Sequence, residues 1–188
     1  MLTKKVSVIA GSLRSESYSK KIAKLLTEIA PRPLELQILK IENLSFYNQD
    51  LDETPPLAWT EFRNQIRSSD AIIFVTPEYN RSIPGVLKNA LDIASRPYGQ
   101  NAFEKKAAGV ISISIGALGG FGANHHLRQI LVPLNMPTMP QPEVYLGEAK
   151  KYFSDSGSFI SEPTRGLLIK FLSSFSDWIE RSKVQILS

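Results

Sequence analysis

The chain has 188 residues, of which 43% are hydrophobic and 21% charged, a composition typical of one globular domain over residues 1–188. It has no cysteine, which excludes disulfides, thiolate metal sites and cysteine nucleophiles, and its two histidines, His125 and His126, are too few to predict a metal site. The net charge of +4 comes from scattered basic residues, so we expect no nucleic-acid partner, whereas anionic ligands would be attracted.

Strand and helix patterns alternate along the chain. Apolar residues spaced three and four apart predict the helices, and short apolar or alternating runs predict the strands. A polar segment without periodicity, 148–157, is expected to be the most mobile. In chain order we predict a strand over 5–10, a helix over 19–30, a strand over 34–38, a loop over 43–56, a helix over 57–68, a strand over 71–75, a helix over 84–96, a strand over 106–114, a helix over 123–134, a strand over 137–139 and a long helix within 161–183 whose inward face includes Leu167.

The strand patterns also predict where each strand lies in the sheet. Alternation of strand and helix indicates an α/β fold, with a parallel sheet between two helical layers. The second strand alternates apolar and polar residues, and the fifth is short and rich in proline, so both belong at edges. The remaining strands are apolar throughout and therefore central. We predict a three-layer αβα, flavodoxin-like fold with five strands in the order 2-1-3-4-5.

Three unusual loops follow the central strands, where open α/β sheets bind their ligands. The first, 11–19, offers hydroxyls from Ser12, Ser17 and Ser19, the charge of Arg14 and a helix N-terminus, which together suit a phosphate monoester. Simple capping of the helix by a serine explains Ser17 or Ser19 equally well. Neither a dinucleotide fingerprint nor a P-loop is present.

The second and third loops suit a flat heterocycle. In 76–85, Pro77 and Pro84 stiffen both ends, so the backbone, Tyr79 and Asn80 can be held against a ring. In 112–122, four glycines would let a ligand approach the backbone, and the helix that starts near Gly120 could direct its positive dipole toward a developing anion. An ordinary turn and a flexible connector are the alternatives for these two loops.

The order and spacing of these loops resemble the NADPH-dependent FMN reductase family, which includes quinone, chromate and azo-dye reductases. The resemblance covers about residues 4–145. It rests on Gly11-Ser12-Leu13-Arg14 with Ser17-x-Ser19, on the run from Pro77-Glu78-Tyr79-Asn80 to Asp92, and on Ser114-Ile115-Gly116 with Gly119-Gly120. One departure is Gly122, which stands where many members carry arginine after the paired glycines.

The resemblance implies how FMN would be bound. The first loop would hold its phosphate, the second would line the isoalloxazine ring, and the third would reach the pyrimidine side of the ring. Members are commonly dimers or tetramers, so a homodimer or homotetramer is expected. The apolar stripe over residues 83–94 is wide enough for part of it to face a second subunit, although burial in the chain's own core explains any single residue at least as well. The implied cofactor-binding residues are Ser12, Arg14, Ser17, Ser19, Pro77, Glu78, Tyr79, Asn80, Ser82, Ser114, Gly116 and Gly119.

The implied activity is an NAD(P)H-dependent reductase that passes hydride through flavin N5 to a quinone or another small oxidised acceptor by a ping-pong mechanism. No catalytic side chain is required, and we expect the Glu78 carboxylate to pair with a basic residue. The alternative is a non-enzymatic FMN-binding, electron-carrier or signalling module of the same fold. Apolar runs fall short of the ~20 residues that span a membrane and no signal-peptide pattern is present, so we expect a cytoplasmic protein without membrane partners.

Overall fold

A computed structural model describes residues 2–187 and shows a parallel sheet between two layers of helices. Two short 3₁₀ helices, Gln49–Leu51 and Ala149–Tyr152, lie in the connections. The strands are β1 (Lys4–Ala10), β2 (Leu34–Leu39), β3 (Ala71–Thr76), β4 (Ala107–Ile113) and β5 (Val144–Leu146). The helices are α1 (Tyr18–Ile29), α2 (Leu57–Arg67), α3 (Gly85–Ala94), α4 (Phe121–Leu131) and α5 (Glu162–Leu187).

The strand order is β2-β1-β3-β4-β5 and every pairing is parallel, which confirms the predicted topology. Strands β3 and β4 are buried at every residue, whereas β2 keeps exposed residues as an edge strand should. Ile9 of β1 pairs with Phe74 of β3, which in turn pairs with Val110 of β4. The carboxyl ends of the three central strands therefore meet at one edge of the sheet.

Two hydrophobic cores lie on opposite faces of the sheet. Because side chains alternate along a strand, Ile73 and Val75 pack with α1 and α5, and Ile72 and Phe74 pack with α2, α3 and α4. The approach of α5 to the sheet depends on Gly109 in β4, since a Cβ there would lie 2.9 Å from Cζ of Phe171. Glycine thus allows α5 to pack tightly over the central strands.

The predicted position of the fifth strand is wrong. Thr138 forms only an isolated bridge with Ala108, and the strand that pairs with β4 is Val144–Leu146. The physical reason is that Pro140 and Pro142 lie between the two pairings and carry no N–H to continue the hydrogen-bond ladder.

Two further expectations need correction. Residues 148–157 contain the 3₁₀ helix Ala149–Tyr152, followed by a bridge between Phe153 and Phe159, because Ala149 and Tyr152 are buried. Leu167 is 36% exposed and does not face the core, since it precedes the buried Leu168 on α5. Most of the apolar stripe of α3 is buried in the chain's own core, as the alternative explanation predicts, and Val86 is half-buried. Within residues 2–187, no helix is both long enough and apolar enough to cross a membrane.

Candidate active site

The three loops that follow β1, β3 and β4 enclose a cavity of about 180 Å³ at the carboxyl edge of the sheet. This is the edge where strand order reverses between β1 and β3, and open α/β sheets bind ligands at that position. The lining consists of Ser12, Arg14, Ser17, Tyr18, Ser19, Pro77, Glu78, Tyr79, Ile113, Ser114 and Ile115.

The first loop presents buried hydroxyls at the start of α1. Ser12, Ser17 and Ser19 are each at most 4% exposed. Ser17 is the N-cap of α1, where its Oγ accepts a hydrogen bond from the Lys20 amide at 3.3 Å, and it lies 2.8 Å from the Ser19 hydroxyl. Ser17 therefore caps the helix, as the simpler interpretation predicts, and it also lines the cavity, while its contact with a phosphate stays a prediction.

Arg14 is the cation of this loop that remains available. Lys20 and Lys21 pair with Glu42 and Glu16 at 2.8 Å each, whereas Arg14 is exposed and has no salt bridge within residues 2–187. The pKa of Glu16 is lowered chiefly by its hydrogen bond to Lys21, with a smaller contribution from Arg14. A helix N-terminus, buried hydroxyls and an uncommitted guanidinium form a set of donors suited to an anion.

The second loop is a rigid two-residue hairpin. The Tyr79 amide donates to the Ser82 carbonyl at 2.9 Å, and the Ser82 amide donates back to the Tyr79 carbonyl at 3.0 Å. Asn80 and Arg81 occupy the turn with φ of 51° and 65°, the left-handed region that such tight turns require. Tyr79 is half-exposed and lines the cavity, whereas Asn80 is not among the lining residues.

The Glu78 carboxylate caps α4 and also forms a long ion pair with a basic neighbour, Arg81, as expected. Its Oε2 accepts a hydrogen bond from the Ala123 amide at 2.9 Å, while Arg81 comes only within 4.0 Å of Oε1. The closer partner is therefore the N-terminus of α4, whose positive end faces this carboxylate, and the basic side chain is the more distant one. The same contact crowds Gly122, because a Cβ there would lie 3.0 Å from Glu78 Oε2 and 3.0 Å from the Arg81 carbonyl oxygen.

The glycines of the third loop have different surroundings. Gly119 has a φ of +62°, and a Cβ there would lie 2.6 Å from the carbonyl carbon of Tyr145, so its role is to pack against β5. Gly116 is different, since a Cβ there would meet only Ser114 Oγ at 3.7 Å. Ser114 Oγ accepts a hydrogen bond from the Gly116 amide at 3.1 Å, which fixes the turn beside the cavity.

Of the twelve predicted cofactor-binding residues, eight line the cavity and four do not. Ser82 donates to or accepts from His126 Nδ1 at 2.7 Å and does not line the cavity. His125 Nε2 lies 3.0 Å from the hydroxyl of Tyr145, whose pKa burial raises to about 12. The residues in the lining are Ser12, Arg14, Ser17, Ser19, Pro77, Glu78, Tyr79 and Ser114, and those outside it are Asn80, Ser82, Gly116 and Gly119.

Sequence reasoning missed Tyr18, Ile113 and Ile115 in the lining. Only their positions in the sequence could have indicated two of them: Tyr18 lies between Ser17 and Ser19, and Ile115 lies between Ser114 and Gly116. Within residues 2–187, no group of three or more histidine, aspartate or glutamate side chains is placed to hold a metal ion.

The sheet order and the loop cavity define a flavodoxin-like α/β protein with a ligand site at the carboxyl edge of the sheet. Residues 4–151 match the family described as NADPH-dependent FMN reductase. A quinone reductase of Pseudomonas putida is 52% identical over 179 residues, which cover 95% of this chain and 96% of that protein. A 2-hydroxy-1,4-benzoquinone reductase of a Burkholderia species is 39% identical, over 96% of this chain and 98% of that protein.

Among solved structures, a flavoenzyme NAD(P)H:(acceptor) oxidoreductase of Paracoccus denitrificans superposes with a TM-score of 0.89. The two sequences are 39% identical, and the match covers 96% of this chain and 99% of that one. The chain belongs to the NADPH-dependent FMN reductase family. It is therefore an oxidoreductase that uses FMN with NAD(P)H as co-substrate, which confirms the resemblance and favours an enzyme over a non-enzymatic module.

The cavity fits a flavin mononucleotide on two observations made within the chain. Buried hydroxyls and the free guanidinium of Arg14 converge beside the N-terminus of α1, where a phosphate is best stabilised. The missing side chain of Gly116 leaves open space beside Ser114, which lines the cavity. A flat ring could approach the backbone there.

Proposed function

We propose that this chain reduces quinones with electrons from NAD(P)H in a ping-pong reaction, with each substrate using the same face of the site in turn. Bound FMN would accept hydride at N5 and pass the electrons on, so that NAD(P)H becomes NAD(P)⁺ and the quinone gains two electrons and two protons. The observation that carries the proposal is the cavity of buried hydroxyls that opens onto exposed apolar side chains.

The first loop would hold the FMN phosphate. Ser12, Ser17 and Ser19 supply short hydroxyl donors that folding has already ordered, so little conformational entropy is lost on binding. Arg14 supplies a permanent charge at the mouth, and the first turn of α1 supplies unpaired amides. We expect this end of the site to provide most of the cofactor affinity.

The second and third loops would hold the ring. The hairpin at Tyr79–Ser82 has two backbone hydrogen bonds across it, so it can present Tyr79 and the backbone of Pro77 and Glu78 without rearrangement. Ser114 and Ile115 of the third loop line the same cavity. The ring would thus lie between two backbone segments fixed to adjacent central strands.

The surroundings of the cavity suit a flat apolar acceptor. Large apolar side chains on all three loops are about half exposed or more, which is costly unless a ligand or a subunit covers them. They are Leu13, Tyr79, Ile115, Leu118 and Phe121, exposed by 53%, 51%, 68%, 65% and 49%. We propose that quinones stack within this apolar rim.

No side chain of the cavity needs to act as an acid or a base. Glu78 is the only carboxylate in the lining, and its Oε2 is already bound to the Ala123 amide. Water can reach the open rim and can supply the second proton of the quinone. We therefore propose that Glu78 positions the second loop against α4 and has no part in proton transfer.

A homodimer or homotetramer is part of the proposal. The enclosed volume of about 180 Å³ is below the roughly 300–1,000 Å³ of complete ligand pockets, so a single chain covers only part of the cofactor. A second copy that contacts part of the apolar rim would complete the enclosure and leave the remainder open to the quinone and to water. Sedimentation at micromolar concentration should give a multiple of 20.9 kDa, and a monomeric mass would exclude this part of the proposal.

The decisive experiment combines a spectrum with turnover. The purified protein should show the visible bands of FMN and should bleach under anaerobic conditions when NADPH or NADH is added. Addition of a benzoquinone should restore the colour. Steady-state rates at several fixed quinone concentrations should give parallel double-reciprocal lines, as a ping-pong reaction requires. Intersecting lines would refute the ping-pong order, and a coloured protein without turnover would refute the activity.

We also propose a cytoplasmic location, where reduced nicotinamide cofactors are available as substrate. Fractionation of the source cells should recover the NAD(P)H-dependent quinone reductase activity with other cytoplasmic enzymes, and its recovery elsewhere would contradict this.

A further inference from the structure

A second cavity of about 490 Å³ opens beside the candidate active site. Its lining consists of Ile115, Glu148, Lys150 and Lys151. Ile115 also lines the first cavity, so the two are adjacent and share one wall. A ligand that entered the first cavity with one end could place its other end in the second.

The lysines of the second cavity stand on a short helix that is fastened to the third loop. The amides of Glu148 and Ala149 donate to the carbonyls of Gly116 and Ser114 at 3.1 Å and 3.0 Å. Ala149 is fully buried, and Gly147 approaches the loop so closely that a Cβ there would overlap the Ala117 carbonyl. The position of this helix is therefore fixed relative to the first cavity, although its lysine side chains are exposed.

The charges of the second cavity favour an anion. Lys151 is paired with Glu148 at 2.8 Å, and this contact lowers the pKa of the Glu148 carboxyl and raises that of Lys151. Lys150 is exposed and has no salt bridge within the described part of the chain. The lining therefore carries one uncompensated positive charge, supplied by Lys150.

We infer that this second cavity is the phosphate subsite of the reduced nicotinamide dinucleotide, with Lys150 as its main contact. The inference rests on the proposed function, because the nicotinamide ring must reach the first cavity to deliver hydride. A dinucleotide is long enough to extend past Ile115, and its phosphates are anions that lysine binds as a point charge. The bound phosphate is either the pyrophosphate, common to NADH and NADPH, or the 2′-phosphate of NADPH.

The test measures binding of unreactive NADP⁺ and NAD⁺ to the FMN-loaded protein by isothermal titration calorimetry. Lys150→Glu should raise the Kd by roughly 3- to 10-fold, because an exposed charge pair is worth up to about fivefold and reversal adds repulsion. A rise for both dinucleotides would assign the pyrophosphate, and a rise for NADP⁺ alone would assign the 2′-phosphate. Lys170→Glu, on the exposed side of α5 and in neither cavity, is the matched control.

A second variant predicts an effect of the opposite sign. Glu148→Gln removes a negative charge from the lining and frees Lys151, so it should lower the Kd by roughly 2- to 3-fold. Damage to the loop would weaken binding in both variants, so opposite shifts are specific to the charge argument. Equal Kd values for Lys150→Glu and the control, or weakening in both Lys150→Glu and Glu148→Gln, would overturn the subsite. Absence of quinone turnover by the unaltered protein would instead overturn the proposed function.

Discussion

Replacement of Arg14 by alanine tests the phosphate end of the site most directly. A hydrogen bond to a charged group is worth about 1.5–3 kcal/mol. Because Arg14 is exposed, the lower end applies, and about 1.5 kcal/mol corresponds to an increase of about 13-fold in the Kd for FMN. Arg14 has no salt bridge within residues 2–187, so its loss should change the free energy of unfolding of the apoprotein by less than about 0.5 kcal/mol.

The assay compares FMN with riboflavin, which lacks the phosphate. Flavin fluorescence quenching on titration of the apoprotein gives both Kd values for the unaltered and Arg14→Ala chains. The variant should lose affinity for FMN and keep its affinity for riboflavin, and the loss should shrink as ionic strength rises. Equal losses for the two flavins would show that Arg14 acts on the ring end or on the fold, and an unchanged FMN affinity would refute the phosphate assignment.

Two further changes separate packing from ligand contact. Gly119→Ala should destabilise the apoprotein in urea by about 1–3 kcal/mol, because its φ is +62° and its Cβ would overlap the backbone of β5. Gly116→Ala should instead leave the unfolding midpoint unchanged and weaken FMN binding. Similar unfolding midpoints for the two variants would contradict the packing argument. Glu78→Gln should destabilise the chain by about 0.5–1 kcal/mol, because the neutral amide is a weaker cap on α4. At saturating flavin its kcat should stay within a few-fold of that of the unaltered protein. A kcat lower by about 100-fold or more would identify Glu78 as a general acid.

The fold could be predicted from the sequence because burial is recorded in local patterns. Every residue of β3 is buried, and the unbroken apolar run over residues 71–75 predicts this burial without any knowledge of the neighbouring strands. The fifth strand could not be placed in this way. Residues 137–139 and 144–146 are both short, and prolines lie within or close to each segment. The choice depends on which amides align with the carbonyls of β4. That alignment is a property of the sheet and not of the segment.

The positions of the site loops could likewise be predicted, since each follows a central strand, but the contacts between the loops could not. Glu78 meets the Ala123 amide across 45 positions, and Ser82 meets His126 across 44. Both contacts depend on how α4 packs beside the hairpin at Tyr79–Ser82. Residues chosen as ring contacts from the resemblance therefore divide into those that line the cavity and those, such as Ser82, that hold the loop against the helix.

The glycines of the third loop show why residue type alone could not identify the ligand-facing backbone. Gly119 is required by the strand beneath it, and Gly120 by its left-handed φ of +78° at the start of α4, so both would be needed with no ligand at all. The fold does not require glycine at position 116, because a Cβ there would enter open space beside Ser114. Among the glycines of this loop, the one that the chain's own packing does not explain is the stronger candidate for contact with a ligand. We therefore expect the backbone at Ser114 to Gly116, and not the paired glycines, to face the flavin ring.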